Sequence, residues 1–414
     1  MIENLKKEIA KKIKREIKNR GDCVFLSNAI FEILDIEISY NTLRRFYNLL
    51  PSTKTSIKTF NTLAQFIGYK NYIDFTQNYK YKGKINVTEI IYKSVAKNKP
   101  EDIVNLVKKT KKSSEDFTSL IIILIRELWH NGNFKLIDRI FNLKALNFNS
   151  FSYDEVLKIG NSIGLLIREK DKLHPQLLNN INFLDCVFLI FVDYSSLNKY
   201  YGGTLEIIKK NNVRYDITLF SKAVLEFRNF INNTKIKDLD IDKPHEKQLH
   251  SILIGRLLSL KLLSADPDKA IKIINTHHKS LPLKVDLISH YYEIFTTTIL
   301  LKNIEIMSFL IDKVESKIDF YYQNSQLNSF YLMCLFYYRL AGDLENENKF
   351  FKAFKLNDCR HSYEEFISLL YLIYEYDSTT TKTKKINLRT RYKSLSKKLN
   401  YSFFSENFLL KYFD

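Results

Sequence analysis

The chain has 414 residues, 45% of them apolar, and a formal net charge of +18. That length allows two or three domains and the apolar share is ample for a core. Scarce breakers (Gly 10, Pro 6) against many long apolar side chains (Phe 30, Tyr 26) point to helices joined by short turns, and the longest apolar runs, Leu120–Ile125 and Cys186–Val192, are too short to span a bilayer.

Residues 2–19 are expected to form an amphipathic helix. Ile2, Leu5, Ile9, Ile13 and Ile17 keep one stripe, and lysines cover the remainder as a solvated or phosphate-facing side. Asn19-Arg20-Gly21-Asp22 is expected to end it, with Gly21 as the C-cap. The N-terminus is charged from its third residue and has no apolar signal core, so no targeting segment is expected.

The next stretch, Leu26 to Phe75, organises the rest. A helix near Leu26–Leu34, a turn at Asp35–Ile38 and a second helix capped by Ser39 make a helix-turn-helix candidate. Leu43, Phe46, Tyr47 and Leu50 fall at i, i+3, i+4 and i+7 as one buried stripe, while Asn41, Arg44, Arg45 and Asn48 point elsewhere. Arg can make two hydrogen bonds to guanine and Asn two to adenine, so such a front suits a major groove. Asn41 and Arg44 are the favoured base readers. Arg45 adjoins Phe46 and could pair with Glu37 or Asp35 instead. Ser39, Tyr40, Thr42, Lys54 and Lys58 complete the expected DNA-contacting set, mainly as backbone contacts. Ser56 caps a third helix carrying Ile57, Phe60, Leu63, Ala64 and Ile67, which Gly68 stops; a short helix near Tyr72–Tyr79 closes the domain. Residues 1–84 hold 16 Lys/Arg against 8 Asp/Glu, a local excess of +8 that suits a polyanionic partner.

Lys80-Tyr81-Lys82-Gly83-Lys84 is expected as a linker, giving domains at 1–80 and 85–414. Helical hairpins follow. Phe117–Trp129 turns at His130-Asn131-Gly132-Asn133 into Phe134–Leu143, and Leu249–Ser264 turns at Ala265–Asp268 into Lys269–His277. Leu287–Lys302 turns at Asn303 into Ile304–Lys317, and Tyr331–Leu340 turns at Ala341-Gly342-Asp343 into Leu344–Leu356. Each leaves one side apolar, which stacking on neighbours would bury. Asn198–Asn212 and Thr234–Lys243 are loop candidates, with an internal break near 198–245. Ser378–Lys398 has 8 Lys/Arg and no acid; it is expected as a solvated loop with the basic side of a helix, or as a second nucleic-acid contact. Tyr401–Phe413 is expected as a capping helix.

The residues Ile38-Ser39, Thr42-Leu43-Arg44-Arg45, Ser56, Phe60, Leu63-Ala64, Ile67-Gly68-Tyr69 and Phe75 resemble the Cro/λ-repressor (XRE-type) helix-turn-helix class. They are more similar to a divergent version found at the N-terminus of Bacteroidetes proteins. Two departures are Asn48, where that pattern has Gly, and Thr59-Phe60, where it has Thr-Leu. Gly132-Asn133-Phe134 and Gly342-Asp343-Leu344 resemble the inter-helix turn of tetratricopeptide repeats, although the full repeat consensus is absent. The module order is similar to peptide-sensing regulators that join such a head to such an array. The resemblance implies an all-α fold, a small helix-turn-helix domain followed by an α-solenoid. It also implies double-stranded DNA as partner and a peptide or protein ligand on the array; the two-fold symmetry usual in such DNA sites makes a homodimer the expectation, and the absence of paired cysteines a cytoplasmic protein.

Enzyme chemistry finds no support. There is no phosphate-cradling GxxxxGK[ST] or GxGxxG. His245-Glu246 and His250 resemble half of a zinc-peptidase motif, but the i+5 spacing takes the second His off the shared face. Cys23, Cys186, Cys334 and Cys359 have no metal-site or CxxC spacing and read as reduced core thiols. No cofactor and no metal are expected. The leading expectation is a DNA-binding transcriptional regulator; the alternatives are a non-enzymatic interaction scaffold with an N-terminal docking cap, and an RNA-binding array using 378–398.

Overall fold

A computed structural model describes residues 1–51, 55–96, 99–110, 117–147, 149, 151–170, 173–239, 249–281, 287–317, 325–359 and 361–414. All regular structure among them is helical. Lys54 and the His245-Glu246 pair lie outside the described residues. The chain divides into two compact units, Met1–Ile123 and Leu124–Asp414.

The first unit begins with α1 (Ile2–Ile13), which ends early because Lys14 turns left-handed at φ 54°. The expected stop at residues 19–22 is instead a start. Asn19 caps α2 (Arg20–Leu34): its Oδ1 accepts from Asp22 N at 3.1 Å, and Asp22 Oδ2 accepts from the amides of Asn19 at 3.0 Å and Lys18 at 2.8 Å. This reciprocal box satisfies the free amides of the first turn, which a helix end could not use. α3 (Tyr40–Phe46) follows a short turn, and α4 (Ile57–Phe66) is capped by Ser56. α5 (Tyr72–Ala96) then runs straight through 80–84, so the expected linker is helix. One glycine costs a helix only about 1 kcal/mol, and the lysines and tyrosines around it do not break one. α6 (Pro100–Thr110) follows, and α7 (Phe117–His130) begins in this unit and ends in the next. Leu5, Ile9, Leu26, Ile30, Leu43, Phe46, Leu63 and Phe75 pack as the core of α1 to α5. Ile2 and Ile57 stay exposed at 43% and 62%, so the apolar stripes of α1 and α4 are each shorter than expected.

The second unit continues with α8 (Phe134–Phe141), α9 (Tyr153–Lys170) and α10 (Ile181–Phe183), which runs on as one π-helical turn over Leu184–Phe188. Then come α11 (Tyr200–Asn211), α12 (Tyr215–Ile231), α13 (Ser251–Leu263), α14 (Pro267–Ser280), α15 (Leu287–Leu301) and α16 (Ile304–Val314). α17 (Ser325–Ala341), α18 (Leu344–Ala353), α19 (His361–Ser378), α20 (Lys382–Leu399) and α21 (Glu406–Lys411) complete it. Residues 198–212, expected as a loop, hold α11. Gly202 is there for close packing, since a Cβ would lie 1.8 Å from the Leu197 carbonyl oxygen.

All four expected helix, turn and helix successions are present, and three share one corner. A left-handed residue ends the first helix (Gly132, φ 67°; Lys302, φ 51°; Gly342, φ 72°). The next residue, Asn133, Asn303 or Asp343, sends its amide back to the carbonyl five residues earlier at 2.9–3.1 Å. Its side chain then accepts from the amide three residues on. Two polar atoms and one left-handed residue thus close one helix and open the next.

The first helices of successive hairpins lie side by side in the order α12, α13, α15, α17, α19, and α14 packs on α16. Gly255 of α13 lets α15 come close, because a Cβ there would sit 2.2 Å from the His290 carbonyl oxygen. That approach brings Arg256 to Glu293 and Ser259 to Thr297, one helical turn apart. In an open array each repeat would meet only its neighbours. Here α9 packs on α19, and the Tyr194 amide donates to Ser362 O at 3.1 Å. Residues 400–412 return to the middle of the chain: Asn198 Nδ2 donates to Asn400 O at 2.7 Å, Leu197 N to the Tyr401 hydroxyl at 3.2 Å and Phe403 N to Ile231 O at 3.0 Å. The unit is therefore closed by contacts across some two hundred residues, because its last residues carry side chains (Tyr401, Tyr412) long enough to reach buried carbonyls.

Candidate nucleic-acid interface and ligand cavity

The turn before α3 is held in two places. Asp35 takes the left-handed conformation at φ 53°, and Ser27 Oγ donates to Ile38 O at 2.6 Å. Ser39 Oγ then accepts from the Asn41 amide at 3.2 Å. Leu43 and Phe46 are buried, so one side of the helix is fixed to α2 and α4. Asn48 follows at φ 61°, with Leu49 N donating to Arg44 O at 2.8 Å, which closes the helix as glycine would.

The two arginines differ in their exposure. Arg44 is half-buried; its Nη1 donates to Asn41 Oδ1 at 3.2 Å and its Nε is buried without a hydrogen-bond partner. Arg45 is exposed and makes no ion pair with Asp35 or Glu37 among the described residues. The exposed positions are therefore Arg45 and Asn48, while Asn41, like Arg44, is half-buried. Leu43 and Phe46 turn inward, and the carbons of Arg44 follow them. Tyr40 is engaged inside the unit, accepting from Arg20 Nη2 at 3.3 Å beneath its guanidinium. Ser39 and Tyr40 also share a shallow groove with Glu32 and Glu37, whose charge disfavours a phosphate there. Thr42 is half-buried and Lys58 is exposed on the first turn of α4.

Two lysines of α1 serve the fold. Lys6 lies 5.5 Å from the Phe46 ring centre, and Lys12 donates to the Phe66 carbonyl at the C-terminus of α4. The basic stretch 378–398 is mostly α20, not loop. Lys384 and Arg391 face Glu375, Arg389 and Lys393 hold Glu406, and Lys398 holds Glu365 at 2.5 Å. Five of its eight cations are thereby paired at the surface, on three carboxylates.

Within the second unit lies a cavity of about 480 Å³ that the sequence does not announce. The π turn of 184–188 sets Asp185 and Leu189 on one side, α12 supplies Phe220, and α13 supplies Leu253 and Arg256. Behind it, Glu293 is buried and takes four hydrogen bonds or charge contacts. Its Oε1 accepts from Arg256 Nε at 3.2 Å and from Tyr363 OH at 2.5 Å, its Oε2 from Tyr194 OH at 2.6 Å, and Arg256 Nη2 lies 3.2 Å away. Burial and the neighbouring carboxylate raise the Tyr194 hydroxyl well above its ordinary pKa, so it stays a donor. At the rim Arg214 holds Asp185 at 2.5 Å and Asp216 at 2.6 Å. Arg256 and Glu293 escaped the sequence reading because 37 residues separate them. The usable signal was a lone charge inside each of two apolar helices, ILIGRLLSL and HYYEIFTTT.

Among the described residues no group of three or more His, Cys, Asp and Glu is placed to hold a metal ion, and no helix is long and apolar enough to cross a membrane. The four cysteines form no disulfide and are buried. No protein-family model matches the chain, and no curated protein or solved structure matches it either.

Proposed function

We propose that the chain is a DNA-binding regulator of the cytoplasm. Its N-terminal unit would carry a helix-turn-helix head, and its C-terminal hairpins, similar to tetratricopeptide repeats, would bind an effector and pair two copies. The observation that carries this is α3 itself: a seven-residue helix with a buried back, a tethered turn before it, and Arg45 and Asn48 exposed with Asn41 half-buried beside them. Arg and Asn are the side chains that read guanine and adenine edges. The basic excess of residues 1–84 supports it. The test is anisotropy of labelled duplexes from the DNA upstream of the gene, measured across a salt series. Binding that falls steeply with salt and depends on Arg45 is expected; salt-independent or absent binding to all of these duplexes ends the proposal.

A second reading, an interaction scaffold with the N-terminal unit as docking cap, is favoured by one feature. Val24, Phe25 and Phe31 stand exposed at 36%, 44% and 49% on the outer side of α2, where a solvated helix would be polar. Phe25→Ser with Phe31→Ser would then abolish partner capture and leave DNA affinity unchanged.

A further inference from the structure

The outer side of α2 carries an ordered stripe. Arg20, Val24, Asn28, Phe31 and Asp35 fall at i, i+4, i+8, i+11 and i+15, and all five are exposed. At helical pitch these positions share one face. Phe25 and Glu32 lie beside them and are exposed as well. The first turn is basic, with Arg20 opening the helix and Arg15 over the Phe25 ring at 5.5 Å. Val24, Phe25 and Phe31 make an apolar middle. The far end is acidic, with Glu32, then Asp35 at the C-cap, then Glu37 in the turn that follows. None of these three carboxylates forms an ion pair among the described residues, and neither does Arg20, whose guanidinium rests on Tyr40 at 5.1 Å. On a chain of net charge +18, unpaired acids beside exposed aromatic rings are an exception that points to a partner surface.

A face with opposite charges at its two ends complements itself when it is turned round. In an antiparallel pair, the register that sets Val24 opposite the partner's Phe31 also sets Arg20 opposite the partner's Asp35. Both pairs are centred on the same point of the helix, between Ser27 and Asn28. Two-fold symmetry then makes each contact twice. The apolar middles cover each other, and Asn28 lies near the axis, where a polar side chain fixes register. A parallel pair would set Arg20 on its own copy and Asp35 on its own, which like charges disfavour.

We propose that the outer face of α2 docks on the same face of a second copy of this chain, antiparallel across a two-fold axis. This deepens the function proposed above by adding a pairing surface in the first unit; it is measured without DNA, so either can fail alone.

The test is sedimentation velocity of the full chain over a concentration series. One helix face is a small interface, so a dimer that dissociates in the micromolar range is expected. Arg20→Asp and Asp35→Lys each set like charges opposite one another at both ends of the pair, and each should weaken the dimer roughly tenfold. Both substitutions suit their places: an acid is favoured in the first turn of a helix, and Lys14 and Lys302 already hold the left-handed conformation that Asp35 has. Arg20→Asp also brings the net charge nearer zero, so a general charge effect would strengthen association instead. An equimolar mixture of the two variants should recover the dimer, because the new aspartate of one then faces the new lysine of the other, and the unaltered Arg20 and Asp35 meet at the far end. Phe31→Ser, at an exposed position, should weaken the dimer roughly tenfold and carries the test if either charge variant does not fold. A chain that stays monomeric into the high-micromolar range leaves the face to some other partner and overturns the proposal. A dimer indifferent to Phe31→Ser, or folded charge variants that do not recover on mixing, would overturn it equally.

Discussion

Arg256 of α13 and Glu293 of α15 form a buried ion pair at 3.2 Å, reachable only because Gly255 lets the two helices close on each other. Removing one partner strands the other charge in an apolar setting. Glu293→Ala is therefore expected to cost about 3–5 kcal/mol in urea unfolding. Replacing both, Arg256→Met with Glu293→Leu, should recover most of that loss. Equal losses in single and double variants would mean that the pair is not coupled.

On the proposed DNA-binding reading, Arg45 and Lys58 would separate two kinds of contact. Arg45→Ala is expected to cost about 1–3 kcal/mol and to relax preference at one base position. Lys58→Ala should weaken all duplexes alike and lower the salt slope by about 1. Arg44→Ala should lower thermal stability through its half-buried stem and its bond to Asn41, with a smaller effect on base preference than Arg45→Ala. Circular dichroism melts beside the anisotropy series distinguish these outcomes.

Asp22 links the first unit to pH. The amides of Lys18 and Asn19 and the nearby Arg15 hold its carboxyl below the ordinary aspartate range, although loss of water on burial opposes them. A group depressed on folding stabilises the fold above its unfolded pKa and loses that contribution as pH falls through the folded one. The melting temperature of the first unit should accordingly fall on acidification below about pH 4, and Asp22→Asn should flatten that dependence. A pH profile identical in the two proteins would rule this out.

The three shared corners offer a stability series. Gly342→Ala, at φ 72°, is expected to destabilise by about 1–2 kcal/mol, and Lys302→Gly, at φ 51°, to stabilise by up to about 1 kcal/mol. Asn133→Ala and Asp343→Ala should each cost about 1 kcal/mol as lost caps. Denaturant midpoints at constant slope check all four.

Much of this architecture was legible in local chemistry. Ser39 and Ser56 are caps in the sequence and caps in the structure, Asn133 and Asp343 lie in expected turns and prove to be caps as well, and Asn48 does take the left-handed conformation that its place requires. What misled were cues with two meanings. Asn19 can follow a helix or begin one, and only Asp22 three residues later decides. Gly83 beside four basic or aromatic neighbours reads as a linker, and Gly202-Gly203 as a turn, yet both lie inside helices. The choice between Arg44 and Arg45 turned on a rotation of one residue in a seven-residue helix, finer than a hydrophobic period resolves. Glu293, its two tyrosines and the cavity were out of reach because long-range packing alone assembles them.

The return of residues 400–412 to the middle of the chain has a consequence for biosynthesis. A ribosome delivers Tyr194 and Leu197 about two hundred residues before Tyr401, their partner. At about 5–20 residues per second the nascent segment around 194–198 waits roughly 10–40 s for its cover. During that interval its apolar surface belongs to whatever chaperone is nearest.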